Sequence, residues 1–227
     1  MNKKILLVHP SRGRAERAQK AMNLWIGRAD HPSNIRHVIV VDSDDPSISE
    51  YLNMGKLSMS DIGIADGDNV VKATNTGAAY LRHRNPGSSI LVYMSDDFVC
   101  PEHWDTLIRN KFEGVTTPRV LHVRDGIRND TDRLLTIPIM NTEAYDALGY
   151  MWHPAYKSMW VDNDLYETCD KLGFIHKAFD LLFEHHHWVN GKAVKDETYE
   201  RTEKNFYTGK EVWLRREAKG FDLSIEV

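Results

Sequence analysis

The chain has 227 residues, of which 41% are hydrophobic, 27% charged and 10% aromatic, the profile of a folded globular protein rather than a disordered, collagen-like or disulfide-scaffold chain. Its 29 Lys and Arg against 33 Asp and Glu give a net charge of -4, which argues against a general electrostatic grip on nucleic acid or on an anionic membrane. At roughly 150 residues per domain, the length suits one α/β domain with a sizeable core.

Lys4 to Val8 reads as a buried strand, followed at once by the polar stretch His9-Pro10-Ser11-Arg12-Gly13-Arg14. Neither this apolar run nor any later one reaches the ~18 residues of a membrane span, and the run is too short for a secretory core, so a cytoplasmic protein without a membrane span is expected. Cys100 and Cys169 form no CxxC pattern, in keeping with reduced thiols. Ala15, Ala18, Met22 and Trp25 recur at helical spacing. His37 to Val41 is a second buried strand, ending in Asp42-Ser43-Asp44-Asp45. Asp61 to Ala65 reads as a short strand and Asn69 to Arg82 as a helix. Ile90 to Tyr93 is another strand, running into Met94-Ser95-Asp96-Asp97. Pro101 and Glu102 open a helix with Trp104, Leu107, Ile108 and Phe112 on one face. This alternation implies a mostly parallel sheet flanked by helices, in which ligands sit beyond the carboxyl ends of the strands. Polar clusters stand at three of those ends.

The second half is less regular. Val120 to Val123 and Leu135 to Ile139 read as strands, the first leading into the turn Arg124-Asp125-Gly126. Tyr145 to Trp160, rich in aromatics, Met and Pro, suits a cleft wall. Leu165, Tyr166, Cys169 and Leu172 mark an amphipathic helix stopped by Gly173. Phe174 to Phe179 and Leu181 to Trp188 read as strands, and the charged stretch from Asp196 as helical with a break at Gly209. No repeat or linker interrupts the chain, so one domain over 1–227 is expected.

Ser95-Asp96-Asp97 carries the clearest chemistry. Adjacent carboxylates at a strand end repel unless a cation or a set of donors lies between them, and Mg²⁺ or Mn²⁺ favours few carboxylates plus phosphate oxygens. The alternative is that Asp97 or Glu102 caps the next helix. Asp42 can accept from a ribose or a base imide, whereas Asp44 and Asp45 read as an Asx turn before Pro46. Ser11, Arg12 and Arg14 stand beside a helix start, where amides and guanidinium groups attract anions. Asp162 and Asp164 open the later helix, stabilising its dipole or serving as a general base. In Glu184-His185-His186-His187-Trp188, strand alternation puts His185 and His187 on one face. A P-loop, GxGxxG, GxSxG and HExxH are absent.

Taken in order, these residues resemble the GT-A glycosyltransferases of the family 2-like group: Ser11-Arg12, Asp42, Asn75-Thr76-Gly77, Ser95-Asp96-Asp97, Asp162-Asn163-Asp164-Leu165, the His-rich strand and Asp196-Glu197-Thr198-Tyr199. The resemblance spans essentially the whole chain. It implies a GT-A domain with a nucleotide-sugar half (about 1–115) and an acceptor half (about 116–227). It further implies transfer of a sugar from a nucleotide-diphosphate sugar, a UDP-sugar first, to a hydroxyl acceptor with inversion and a divalent cation, Mn²⁺ or Mg²⁺. By the same resemblance Asp42 reads the base, Ser11, Arg12 and Arg14 touch the nucleotide, Asn75 lines the donor pocket and Asp96 faces the ribose. Asp97, with His187 or His185, holds the metal, and Asp162 is the base with Asp164 in reserve. The family often has Glu before that base where Val161 stands here. Arg124 and Asp125 fall near the expected acceptor side. Compact transferases of viral origin, some of which modify hydroxymethylated DNA bases, make modified DNA one acceptor to weigh, although Lys210, Arg215, Arg216 and Lys219 read better as a solvated helix face than as phosphate contacts. Two rival readings are a sugar-1-phosphate nucleotidyltransferase, disfavoured by the lone Gly13, and a silent nucleotide-sugar binding module.

Overall fold

The structure, a computed structural model, describes residues 3–57, 60–67 and 69–222. β1 (Lys4–Pro10) is central, and Ile5, Leu6, Leu7 and Val8 are fully buried, as a strand covered on both faces requires. It is flanked in parallel by β2 (Ile35–Asp42) and β4 (Ser89–Tyr93), and β3 (Asp61–Ala65) adds to β2. β7 (Ile139–Asn141) then pairs antiparallel with both β4 and β6 (Val120–Arg124), and β8 (Ile175–Leu182) runs parallel to β6. The order in this mixed, mostly parallel sheet is β3-β2-β1-β4-β7-β6-β8. The connecting helices are α1 (Ala15–Gly27), α2 (Ile48–Leu57), α3 (Val70–Arg84), α4 (Trp104–Lys111), α5 (Thr142–Leu148) and α6 (Val161–Lys171).

Local chemistry sets several boundaries. Asn69 caps α3 by accepting the Lys72 amide at 2.7 Å, and Arg82, His83 and Arg84 occupy the last turn, matching both ends of the helix dipole. α3 lies tight on the sheet because Gly77 has no side chain. A Cβ there would stand 2.8 Å from Val40 and 3.0 Å from Val8.

A second pairing matters most for the site. β5 (Phe98–Val99) and β9 (Glu184–His185) form an antiparallel ribbon, with Phe98 opposite His185 and their rings 4.2 Å apart. Trp25 pins it, donating its indole N–H to the Phe98 carbonyl at 2.9 Å while packing on Trp104 and Phe183. One apolar cluster runs from Ile5 to Phe183.

The structure revises three sequence expectations and adds one helix. The strand expected over Leu135–Ile139 begins only at Ile139, as the antiparallel insertion. The two strands expected between Phe174 and Trp188 are β8 and the short β9, and Trp188 begins a 3-10 turn. α2 follows no expectation, because a glycine and a short apolar pattern hide its signal. Finally, Gly209 does not break the terminal helix: α7 (Glu197–Glu203) is followed by α8 (Phe206–Ala218), which runs through it.

Gly209 instead permits close approach, since a Cβ there would fall 2.4 Å from the Met159 carbonyl oxygen. Ala gains up to ~1 kcal/mol in helix propensity over Gly, but overpacking against fixed backbone costs about 1–3 kcal/mol. Gly209→Ala is therefore expected to lower stability in urea unfolding and to displace the 157–163 segment.

Candidate active site

The carboxyl ends of β1, β2 and β4 open into a cavity of about 500 Å³, whose wall includes Ser11, Arg12, Arg14, Asp42, Asp96, Asp97, Asp162, His185, His187 and Tyr199. Asp97, buried, lies just past the end of β4 and immediately before β5. Its carboxylate accepts from the Ser95 hydroxyl and from the Tyr199 hydroxyl at 2.8 Å, and His185 Nε2 lies 3.4 Å from it. Burial alone would raise its pKa, but these donors outweigh it and hold the carboxyl well below its ordinary range. Two elements deliver them: the β5–β9 ribbon brings His185, and α7 brings Tyr199. α7 is capped by Asp196, which accepts the Thr198 and Tyr199 amides and also the Arg14 Nε at 2.9 Å. Burial, then the Asp97 charge, pushes the Tyr199 hydroxyl up, so it stays a donor.

His187 stands beside His185, ring centroids 4.9 Å apart, and burial followed by the His185 charge lowers its pKa, keeping it neutral. Among the described residues no three His, Cys, Asp or Glu side chains converge as a metal cage. Here His185 Nε2 faces Asp97 as a donor, and His187 Nδ1 accepts the Val189 amide at 3.2 Å. What remains is one ionised carboxylate with imidazoles alongside. That donor set fits a hard divalent ion taking most of its ligands from phosphate and water.

At the β2 end, Asp42 takes one Arg12 bond at 3.1 Å, while Arg12 also grips Asp44. Asp42 Oδ1 is buried with no hydrogen-bond partner, and burial raises its pKa despite Arg12. An unpaired buried acceptor is costly, so this oxygen offers a place for a ligand's N–H or O–H. Asp44, expected in a turn, is the exposed half of the Arg12 fork. Asp45 is buried and accepts the Ser47 amide and the Gly13 amide.

Asp162 lines the cavity from the first turn of α6. The chain enters this helix through Trp160, held at φ 74°, a strained conformation for a bulky residue. Burial raises the Asp162 pKa. Tyr93, also on the wall, has its hydroxyl pKa raised by burial first and then by the charges of Asp97 and Asp96.

Four expected residues lie elsewhere. Asp164 is fully buried, bound to Arg216 Nε at 2.6 Å and to the Tyr156 hydroxyl at 2.9 Å; it ties α6 to α8 and has no face on the cavity. Arg216, expected on a solvated helix face, is instead buried in this pair. Asn75 spans the gap to the next segment, accepting the Met151 and Trp152 amides and donating to the Trp152 carbonyl. It holds the cavity wall from behind. Arg124 is exposed and paired with Asp130, and Asp125 is buried, accepting the Ile127 and Arg128 amides. Both shape the loop after β6 and neither lines the cavity. Conversely, Tyr51, which meets Ser11 at 2.8 Å, and Arg128, Trp152 and Trp160 on the wall were not singled out by sequence. Aromatic composition over 145–160 signalled Trp152 and Trp160, and no sequence pattern signalled Tyr51 or Arg128.

No family model and no curated protein matches this sequence. Solved structures do. A mannosyltransferase from Pyrobaculum calidifontis, PcManGT, in complex with GDP-Man and Mn²⁺, superposes with a TM-score of 0.62 at 12% identity over 88% of this chain and 59% of its own. S. aureus TarS 1-349 gives 0.61 at 11% identity over 99% of this chain and 76% of its own, and its UDP-GlcNAc complex gives 0.57 at 10% over 88% and 64%. The chain thus spans about 59% of the length of PcManGT. It has the GT-A glycosyltransferase fold.

Removing one partner of a buried ion pair costs about 3–5 kcal/mol. Asp164→Ala is accordingly expected to lose stability on that scale in chemical denaturation, a loss that Asp162→Ala does not share.

Proposed function

We propose that this protein is a glycosyltransferase that moves a sugar from a nucleotide-diphosphate sugar to a hydroxyl acceptor, with inversion and with help from a divalent cation. The observation that carries the reading is the meeting of Asp42, Asp97 and Asp162 around one cavity at the strand ends of a GT-A fold. The N-terminal half (about 1–115) then holds the donor and the remainder (116–227) the acceptor. Neighbouring structures bind GDP-Man and UDP-GlcNAc, which supports a nucleotide-sugar donor. No described helix is long and apolar enough to cross a membrane.

In this reading Asp42 Oδ1 accepts from the base, Asp96 accepts from the ribose, and Ser11, Arg12 and Arg14 border the nucleotide. Asp97, with His185 or His187, would hold the cation. When bound, the cation offsets the charge gathering on the departing nucleotide diphosphate. Tyr199, Ser95 and His185 keep Asp97 ionised and fixed for that task. Asp162 takes the proton from the acceptor hydroxyl as that oxygen attacks the anomeric carbon. One in-line displacement inverts the centre.

Two outcomes are expected. At a hundredfold excess of nucleotide sugar over Kd, linkage stabilises by ~2.7 kcal/mol, or roughly 5–10 °C in melting temperature for a chain of this size. Across a panel of UDP- and GDP-sugars, that shift is expected to need Mn²⁺ and to vanish in Asp97→Ala; a shift indifferent to both would refute the site. Asp162→Asn should cut transfer about 10²–10⁴-fold with donor binding intact. Because the base must be ionised and burial raises its pKa, kcat should fall as pH drops through an inflection above the ordinary ~3.9 of Asp.

A further inference from the structure

Two histidines lie beneath the donor end of the cavity, where the sheet is otherwise apolar. His9 in β1 is fully buried and His37 in β2 nearly so. Their rings stack at 5.4 Å. His9 Nε2 lies 2.7 Å from Asp96 Oδ1, and His9 Nδ1 lies 3.3 Å from His37 Nε2. His37 Nδ1 in turn meets the Ser60 hydroxyl at 2.6 Å, and Ser60 reaches Met22 Sδ at 3.0 Å. A relay of polar groups therefore starts in the core and ends on a carboxylate that faces the cavity.

Proton arithmetic gives the relay a direction. A carboxylate only accepts, so His9 Nε2 carries the hydrogen it shares with Asp96. The other Asp96 oxygen accepts from Ser11 at 2.8 Å, and Ser11 is itself braced by Tyr51. Each oxygen of Asp96 is thus pinned by one protein donor and keeps a second lone pair for a ligand. Burying two imidazoles where Ile or Val would pack is costly unless every ring nitrogen is satisfied, and here every one is.

We propose that the His9–His37 pair is a positioning device for Asp96: it locks the carboxylate so that its remaining lone pairs accept from the vicinal hydroxyls of the donor's ribose. His9 acts through Asp96 and touches no substrate, so it is a positioning residue that sets selectivity for ribose. The inference rests on the nucleotide-sugar reading above and adds to it a residue pair outside the cavity wall.

The test compares the affinity of UDP and GDP with that of their 2′,3′-dideoxy forms, by calorimetry. Hydrogen bonds to a charged group lead us to expect the wild type to prefer the ribo form at least about tenfold. In His9→Leu the preference should shrink below about threefold, with affinity for the dideoxy form unchanged, a pattern that loosened packing does not give. His9→Gln, whose amide reaches Asp96, should keep the preference, and the shorter His9→Asn should lose it. Should His9→Leu not fold, the Gln and Asn pair decides alone, and equal ratios in the two overturn the inference. A preference kept in His9→Leu but lost in Asp96→Asn overturns the role of the histidines and leaves the nucleotide-sugar reading standing. A preference kept in Asp96→Asn as well overturns the inference, and no nucleotide binding by the wild type overturns both.

Discussion

An ionised carboxylate in a buried pocket is the constraint around which this molecule is arranged. Taking Asp97 out of water penalises its charge, and nothing within β4 repays that. The donors come from three places in the chain: Ser95 beside it, His185 on β9 and Tyr199 on α7. The folded chain must therefore return twice to the end of β4. The β5–β9 ribbon and α7 are the two returns, and together they turn an open strand edge into a walled cavity.

The rim and the interior contribute unequally to holding that wall. Arg17 and Arg14 both reach Asp196 at the start of α7, but partly exposed ion pairs are worth only about 0–1 kcal/mol. The buried Tyr199–Asp97 bond and the Asp164–Arg216 pair lie away from solvent, where losing one partner costs more. Pocket shape thus depends on buried polar contacts between distant stretches, and the surface charges refine it. The same holds at the β1 end of the cavity, where Asp96 is braced from the core by His9.

The strand ends were legible in the sequence because continuous apolar runs such as Ile5 to Val8 and Ile90 to Tyr93 stop abruptly at polar residues. Parallel topology then places Ser11, Asp42 and Asp97 on one edge with no further information. Asp162 was legible as the start of an amphipathic helix. Its neighbour Asp164 was not separable from it, since two positions along a helix the side chain turns away from the cavity into the contact with α8, and that contact joins residues 52 apart. Arg124 and Asp125 fall outside the cavity wall, and a polar turn after a strand looks alike whether it faces a ligand or satisfies its own amides. Asn75 and Gly77 were rightly conspicuous, yet their roles are a backbone clamp and a close approach. His9 and His37 sit within apolar runs where periodicity reports burial and says nothing of partners.

Diffraction from crystals grown with Mn²⁺ and either UDP or GDP locates the cation and the nucleotide directly, through the manganese anomalous signal. That signal is expected against the Asp97 carboxylate, with the diphosphate beside it and the base near Asp42. Nucleotide lodged elsewhere, or manganese away from Asp97, would contradict that arrangement.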